Sequence, residues 1–154
     1  MKKFSSKTEI FSYIRDNFCG NNDTVIVRGS TAIKALDSFD DFDIEVYTTK
    51  PKKPYYEIIF YREKPILISI YYHIDEQGEI IKPPREIKVL QGEYHSNIDR
   101  IFMEDFAKRT KHTPEDKITR SNQMIIDNLF KFMRSNNRDF LDKVNRDLKF
   151  EGKK

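Results

Sequence analysis

The chain has 154 residues, 38% of them hydrophobic and 34% charged, with a net charge of +3; this describes a globular protein of one domain, or one domain with a helical extension, and a heavily charged surface. Its longest apolar run, ILISIYY, falls far short of the ~20 residues of a membrane helix, and Lys2-Lys3 is followed by no apolar stretch, so neither a membrane span nor a signal peptide is expected. The single cysteine, Cys19, excludes an internal disulfide framework and fits a reducing, cytoplasmic setting, and His73, His95 and His112 match no zinc spacing.

Charge is unevenly spread. Lys108 to Lys154 holds thirteen Lys/Arg against seven Asp/Glu, a net +6, so the preceding part carries −3. A basic tail of this kind is a mild pointer to a polyanionic partner and otherwise a solvated helix face.

Ser6-Lys7-Thr8-Glu9 is a capping box opening a helix over about 7–19, with Ile10, Phe11, Ile14 and Phe18 at helical spacing and Gly20 as a left-handed stop. TVIVRG (24–29) reads as a short strand, apolar on both faces. STAIKAL (30–36) reads as a short helix entered through Ser30 or Thr31. DFDIEVYT (41–48) alternates polar and apolar residues, as a half-buried strand does. Residues 55–75 read as two strands joined by a tight turn at Arg62 to Lys64. A loop containing Pro83-Pro84 precedes a further strand over 86–90.

After Glu93 the pattern becomes helical. Ser96-Asn97-Ile98-Asp99 can cap a helix carrying Ile98, Ile101, Phe102 and Phe106. Thr113-Pro114 starts a longer one, to about 134, with Ile118, Ile125, Ile126, Leu129, Phe130 and Met133 inward; a last helix spans about 137–149 with Phe140, Leu141, Val144 and Leu148. The order predicts an α+β fold, with a core over 1–93 and a C-terminal helical region over 94–154 packed on it.

Residues i and i+2 of a strand share a face, so Asp43 and Glu45 project together, about 6.6 Å apart. Carboxylates so placed can hold a hard cation such as Mg²⁺ or Mn²⁺. Gly29 ends the neighbouring strand and lets backbone approach a ligand, and Ser30 with the amides opening the next helix can cradle a phosphate. A phosphate cradle beside paired carboxylates is equipment for nucleotidyl transfer. Asp37, Asp40 and Asp41 read as loop acids facing water, His73 as a strand residue beside Tyr71 and Tyr72, and Cys19 as a small packed hydrophobe.

The pattern of Gly29-Ser30, a twelve-residue gap, then Asp43-Ile44-Glu45 between apolar residues resembles the signature of the DNA polymerase beta-like nucleotidyltransferase superfamily. DSFDDFDIEVY is similar to the acidic motif of aminoglycoside adenylyltransferases and minimal nucleotidyltransferases. The resemblance covers about 24–48 well and 55–75 loosely. It implies a nucleotidyltransferase-like mixed β-sheet flanked by helices. It implies Asp43 and Glu45 as catalytic, metal-binding carboxylates for Mg²⁺ (or Mn²⁺), and Gly29 and Ser30 as nucleotide-binding residues. The partner would be an NTP, ATP foremost, whose nucleoside monophosphate passes to the hydroxyl of an unidentified acceptor, small molecule or nucleic acid. Arg28 and Lys34 are near enough in sequence to assist the phosphates.

The superfamily usually adds a third carboxylate on a later strand. The matching strand centre here is Ile68-Ser69-Ile70, and a serine cannot deprotonate a hydroxyl at neutral pH. Glu57 is the other candidate, and Asp75 lies past the strand's end. Either Glu57 fills the place, or the base comes from elsewhere, or the chain is a catalytically degenerate relative that binds nucleotide, nucleic acid or a protein partner.

Overall fold

A computed structural model describes residues 2–28, 41–62, 64–109 and 114–147. Among these, six strands and four helices follow one another as β1 (Lys3–Phe4), α1 (Lys7–Phe18), β2 (Thr24–Arg28), β3 (Asp41–Thr48), β4 (Tyr55–Tyr61), β5 (Lys64–Ile74), β6 (Ile87–Gln91), α2 (Ile98–Arg109), α3 (Pro114–Ser135) and α4 (Arg138–Asp147). The architecture is α+β, as the element order predicts. Gly29, Ser30, the short helix expected over 30–36, Lys34, Asp37 and Asp40 lie outside the described residues.

The strands form one mixed sheet in the order β1-β4-β5-β3-β2-β6. β4 and β5 are an antiparallel hairpin whose turn takes Arg62 to φ 55°, a left-handed conformation uncommon for a residue with a Cβ. β5 runs parallel to β3, and β2 is antiparallel to both β3 and β6. β1, too short to be read from pattern, adds in parallel to the β4 edge.

Each face of the sheet has its own core. Ile10, Phe11 and Ile14 of α1 pack against Val25, Val27, Phe42, Ile44, Val46, Ile59, Ile66, Ile68 and Ile70. On the other face Ile26, Tyr47, Ile87 and Tyr94 pack with Ile98 and Ile101 of α2. The polar side of β3 is therefore covered by α2, and Glu45 and Tyr47 are buried where alternation alone predicted a half-buried strand.

The capping box forms: Ser6 Oγ accepts from Glu9 N, and the Glu9 carboxylate reaches back to Ser5 rather than Ser6. The expected glycine stop does not. Cys19 turns extended at φ −134° and ends α1, while Gly20 N donates to Asp23 Oδ2 at 2.7 Å. Ser96 likewise does not follow its expected capping role, because its hydroxyl accepts from Glu79 N.

Cys19 is half-buried and donates to Ile14 O. Burial, then the Asp23 charge, push its thiol up to about 11 against the opposing Lys52 and Arg15 charges. Alkylation by iodoacetamide at pH 8 is therefore expected to be about 100-fold slower than for a free cysteine and to rise about tenfold per pH unit up to that value, since the thiolate is the nucleophile. Timed mass spectrometry of the folded chain across pH 7–11 checks this.

The chain divides into two compact units, Met1–Ala107 and Lys108–Lys154. The first extends past the boundary expected at 93, because Ile98 and Ile101 belong to its second core. In the second unit α3 and α4 join at Asn136, whose φ of 56° makes the turn, and Asn137 Oδ1 caps Asp139 N. Val144 and Asn128 are buried there, whereas Leu129 and Met133, expected inward, are exposed.

Candidate functional site

β2, β3 and β5 lie side by side, and their registers decide which side chains meet. Asp43 pairs with Ser69, Glu45 with Tyr71, and Tyr47 with His73 across the parallel β3–β5 ladder. Paired residues of adjacent strands share a face, so Asp43, Glu45, Tyr47, Ser69, Tyr71 and His73 lie on the side covered by α2. Ser69 thus stands next to Asp43, at the position where the superfamily resemblance places a third carboxylate.

Asp43 is exposed, and Glu45 is only 3% exposed. Among the described residues the Glu45 carboxylate has three donors. Arg28 Nε donates to Oε2 at 2.6 Å, Arg28 Nη2 to Oε1 at 3.0 Å, and Tyr47 Oη to Oε1 at 2.6 Å. Two parallel N–H···O bonds from one guanidinium form the strongest type of ion pair available to side chains. Arg28 also donates through Nη1 to Asp99 Oδ1 at 3.2 Å, and its guanidinium carbon lies 4.1 Å from the Phe102 ring centre. Both partners come from α2, so one arginine ties β2 to β3 and to the covering helix.

Burial works against the Arg28 charge, but the Glu45 bonds and charge, with Asp99, outweigh it and hold the guanidinium protonated. Burial, then the Glu45 charge, push the Tyr47 hydroxyl far up, so it stays a donor. Burial and the bond to Asp99 push Tyr94 up to about 12. Further along the face, His73 is buried, stacks on Tyr47 at 4.9 Å between ring centres, and bonds through Nδ1 to Asp105 Oδ2 at 2.7 Å. His73 Nε2 is buried without a hydrogen-bond partner among the described residues.

The other candidate acids are elsewhere. Glu57 is registered with Ile68, which belongs to the α1-side core, and accepts a 2.6 Å bond from Tyr13 of α1. It therefore lies on the opposite face of the sheet from Asp43 and Glu45 and cannot serve as their third carboxylate. Asp75 is engaged by His95 Nε2 at 2.8 Å, in the tie between the loop after β5 and the segment before α2. Apart from Glu57, β4 and β5 contain no acid.

Asp43 and Glu45, as placed, do not fit a divalent ion held between them. Three hydrogen bonds, two from a guanidinium and one from a hydroxyl, already occupy most of the acceptor sites of Glu45, and a dication on it would stand beside a fixed positive charge. Among the described residues no three His, Cys, Asp or Glu side chains gather as a metal-holding group.

Asp43, Glu45 and Ser69 stand out in the sequence, but the partners they meet in the fold do not. Arg28 appeared only as an aid to phosphates, and Tyr47 and Asp99 were given no role in the site. Tyr47 carried a local signal, because it is two residues from Glu45 and so on its face. Asp99 carried none, being 71 residues from Arg28. Comparison with protein-family models, with curated proteins and with solved structures finds no match to this chain.

Proposed function

We propose that this chain is a nucleotidyltransferase-like protein that binds a nucleotide without transferring it. The observation that carries the reading is the Arg28–Glu45–Tyr47 arrangement: the second carboxylate of the expected metal pair is buried and consumed by an internal ion pair. The register supports it, because Ser69 rather than an acid stands beside Asp43 and Glu57 is on the far face. Gly29-Ser30 would grip the phosphates, next in sequence to a guanidinium whose side chain is 25% exposed.

The transferring enzyme is the second reading: a Mg²⁺-dependent nucleotidyltransferase moving a nucleoside monophosphate from an NTP to an acceptor hydroxyl. One observation favours it, the exposure of Asp43 on the same face as Glu45.

Calorimetry with ATP, CTP, GTP and UTP, each with Mg²⁺ and again with EDTA, tests the proposal alongside a pyrophosphate assay. Binding of at least one nucleotide that survives EDTA, with no pyrophosphate released, is the expected result. Failure of all four to bind overturns it. Pyrophosphate release that disappears in Asp43→Ala and Glu45→Ala would establish the transferring enzyme instead.

A further inference from the structure

We infer that Arg28 is the resident cation of this site: its guanidinium takes the place on Glu45 that a divalent ion would take. The inference rests on the reading of the chain as a nucleotidyltransferase-like binder and adds what replaces the metal.

Three features of the arrangement lead to it. The first is charge. Glu45 is buried and needs a counter-charge, and Arg28 supplies it through a two-bond fork to both oxygens. An arginine cannot lose its proton in this setting, so the counter-charge is permanent.

The second is space. The Phe102 ring lies 4.1 Å from the guanidinium carbon. A flat, weakly hydrated guanidinium stacks favourably on an aromatic face. Mg²⁺ is the opposite kind of cation: it demands octahedral oxygen ligands and keeps most of its waters. With both cations in competition for Glu45, the ring favours the guanidinium.

The third is connectivity. A metal held by Asp43 and Glu45 would link positions of one strand. Arg28 links β2 to Glu45 of β3 and to Asp99 of α2, and Tyr47 adds a third bond to Glu45. The guanidinium charge is engaged by Glu45 and Asp99, so Arg28 ties the site together where a metal would and is not itself a free ligand for a phosphate.

The test uses Mn²⁺ alone on the full chain, with no nucleotide present, so its result is independent of whether a nucleotide binds. In the wild type, Mn²⁺ up to about 1 mM, the weak end of protein affinities for divalent ions, is expected to leave the Arg28 Nε–H and Tyr47 NMR signals unbroadened. Selective broadening of those signals, abolished by Glu45→Gln, overturns the inference. Arg28→Ala is expected to bind Mn²⁺ at least about tenfold more tightly than the wild type by water-proton relaxation, and to lose that gain on addition of Glu45→Gln. A folded Arg28→Ala chain with no gain also overturns it. If that variant does not fold, the wild-type spectra decide.

Discussion

Arg28→Ala is expected to lower the unfolding free energy by about 3–5 kcal/mol, the cost of leaving a buried charge without its partner. Three links are cut at once. Glu45, 3% exposed, keeps only the Tyr47 hydroxyl, and one neutral donor does not replace a guanidinium fork. The contact with the Phe102 ring is lost, worth about 0.5–2 kcal/mol depending on desolvation. The Asp99 link adds little, because that carboxylate is 57% exposed and can be solvated. Urea unfolding read by far-UV circular dichroism gives the result directly: the midpoint falls while the denaturant slope stays unchanged. The same reasoning predicts that the double change Arg28→Met with Glu45→Leu recovers most of the loss. Removing both charges also removes the desolvation that the pair has to overcome. If Arg28→Ala costs less than about 1 kcal/mol, the range of a surface pair, the ion pair is not the buried link described here.

Much of the fold was legible because its signals are local. The capping box at Ser6 and Glu9, the β-branched run at 24–27 and the alternation of 41–48 each depend on neighbours within a few residues. Strand parity also carried Asp43 and Glu45 to one face, and strand position singled out Ser69, which the register then sets beside Asp43. What was not legible depends on pairing between distant elements. Glu57 reads as a plausible third acid until the hairpin register with β5 assigns it to the α1 side. Glu45 reads as a metal ligand until the β2–β3 pairing and the return of α2 bring Arg28, Asp99 and Phe102 together. No spacing rule reports that a helix beginning at Ile98 will cover a strand ending at Thr48. A polar strand face looks the same in sequence whether it meets water or a second core, and here it meets the core containing Ile26, Ile98 and Ile101.

Ser69→Asp tests the same site from the β5 side, by placing an acid beside Asp43, where the resemblance leads to the expectation of a third carboxylate. Ser69 is 1% exposed, and its neighbour on β3 is Asp43. The new carboxylate would be desolvated and would stand one strand spacing, about 4.8 Å, from a like-charged residue. No cation of the described site is spare to receive it, because Arg28 is already bound to Glu45 and Asp99. The expected result at pH 7 is a loss of about 2–4 kcal/mol, within the range for a poorly paired buried polar or charged group. Burial and the neighbouring charge both raise the pKa of the introduced carboxyl above its unfolded value. In the window between the two values the folded state binds the extra proton, so stability relative to the wild type falls as pH rises through it and returns as pH is lowered. Urea midpoints of both chains at pH 4.5 and pH 7, with and without Mg²⁺, separate the readings. With Arg28 as the resident cation, acid narrows the gap and Mg²⁺ does not. If Mg²⁺ restored the variant at pH 7, the three acids would be acting as a cation site, and the case for a binding protein without transfer chemistry would fail at its central observation.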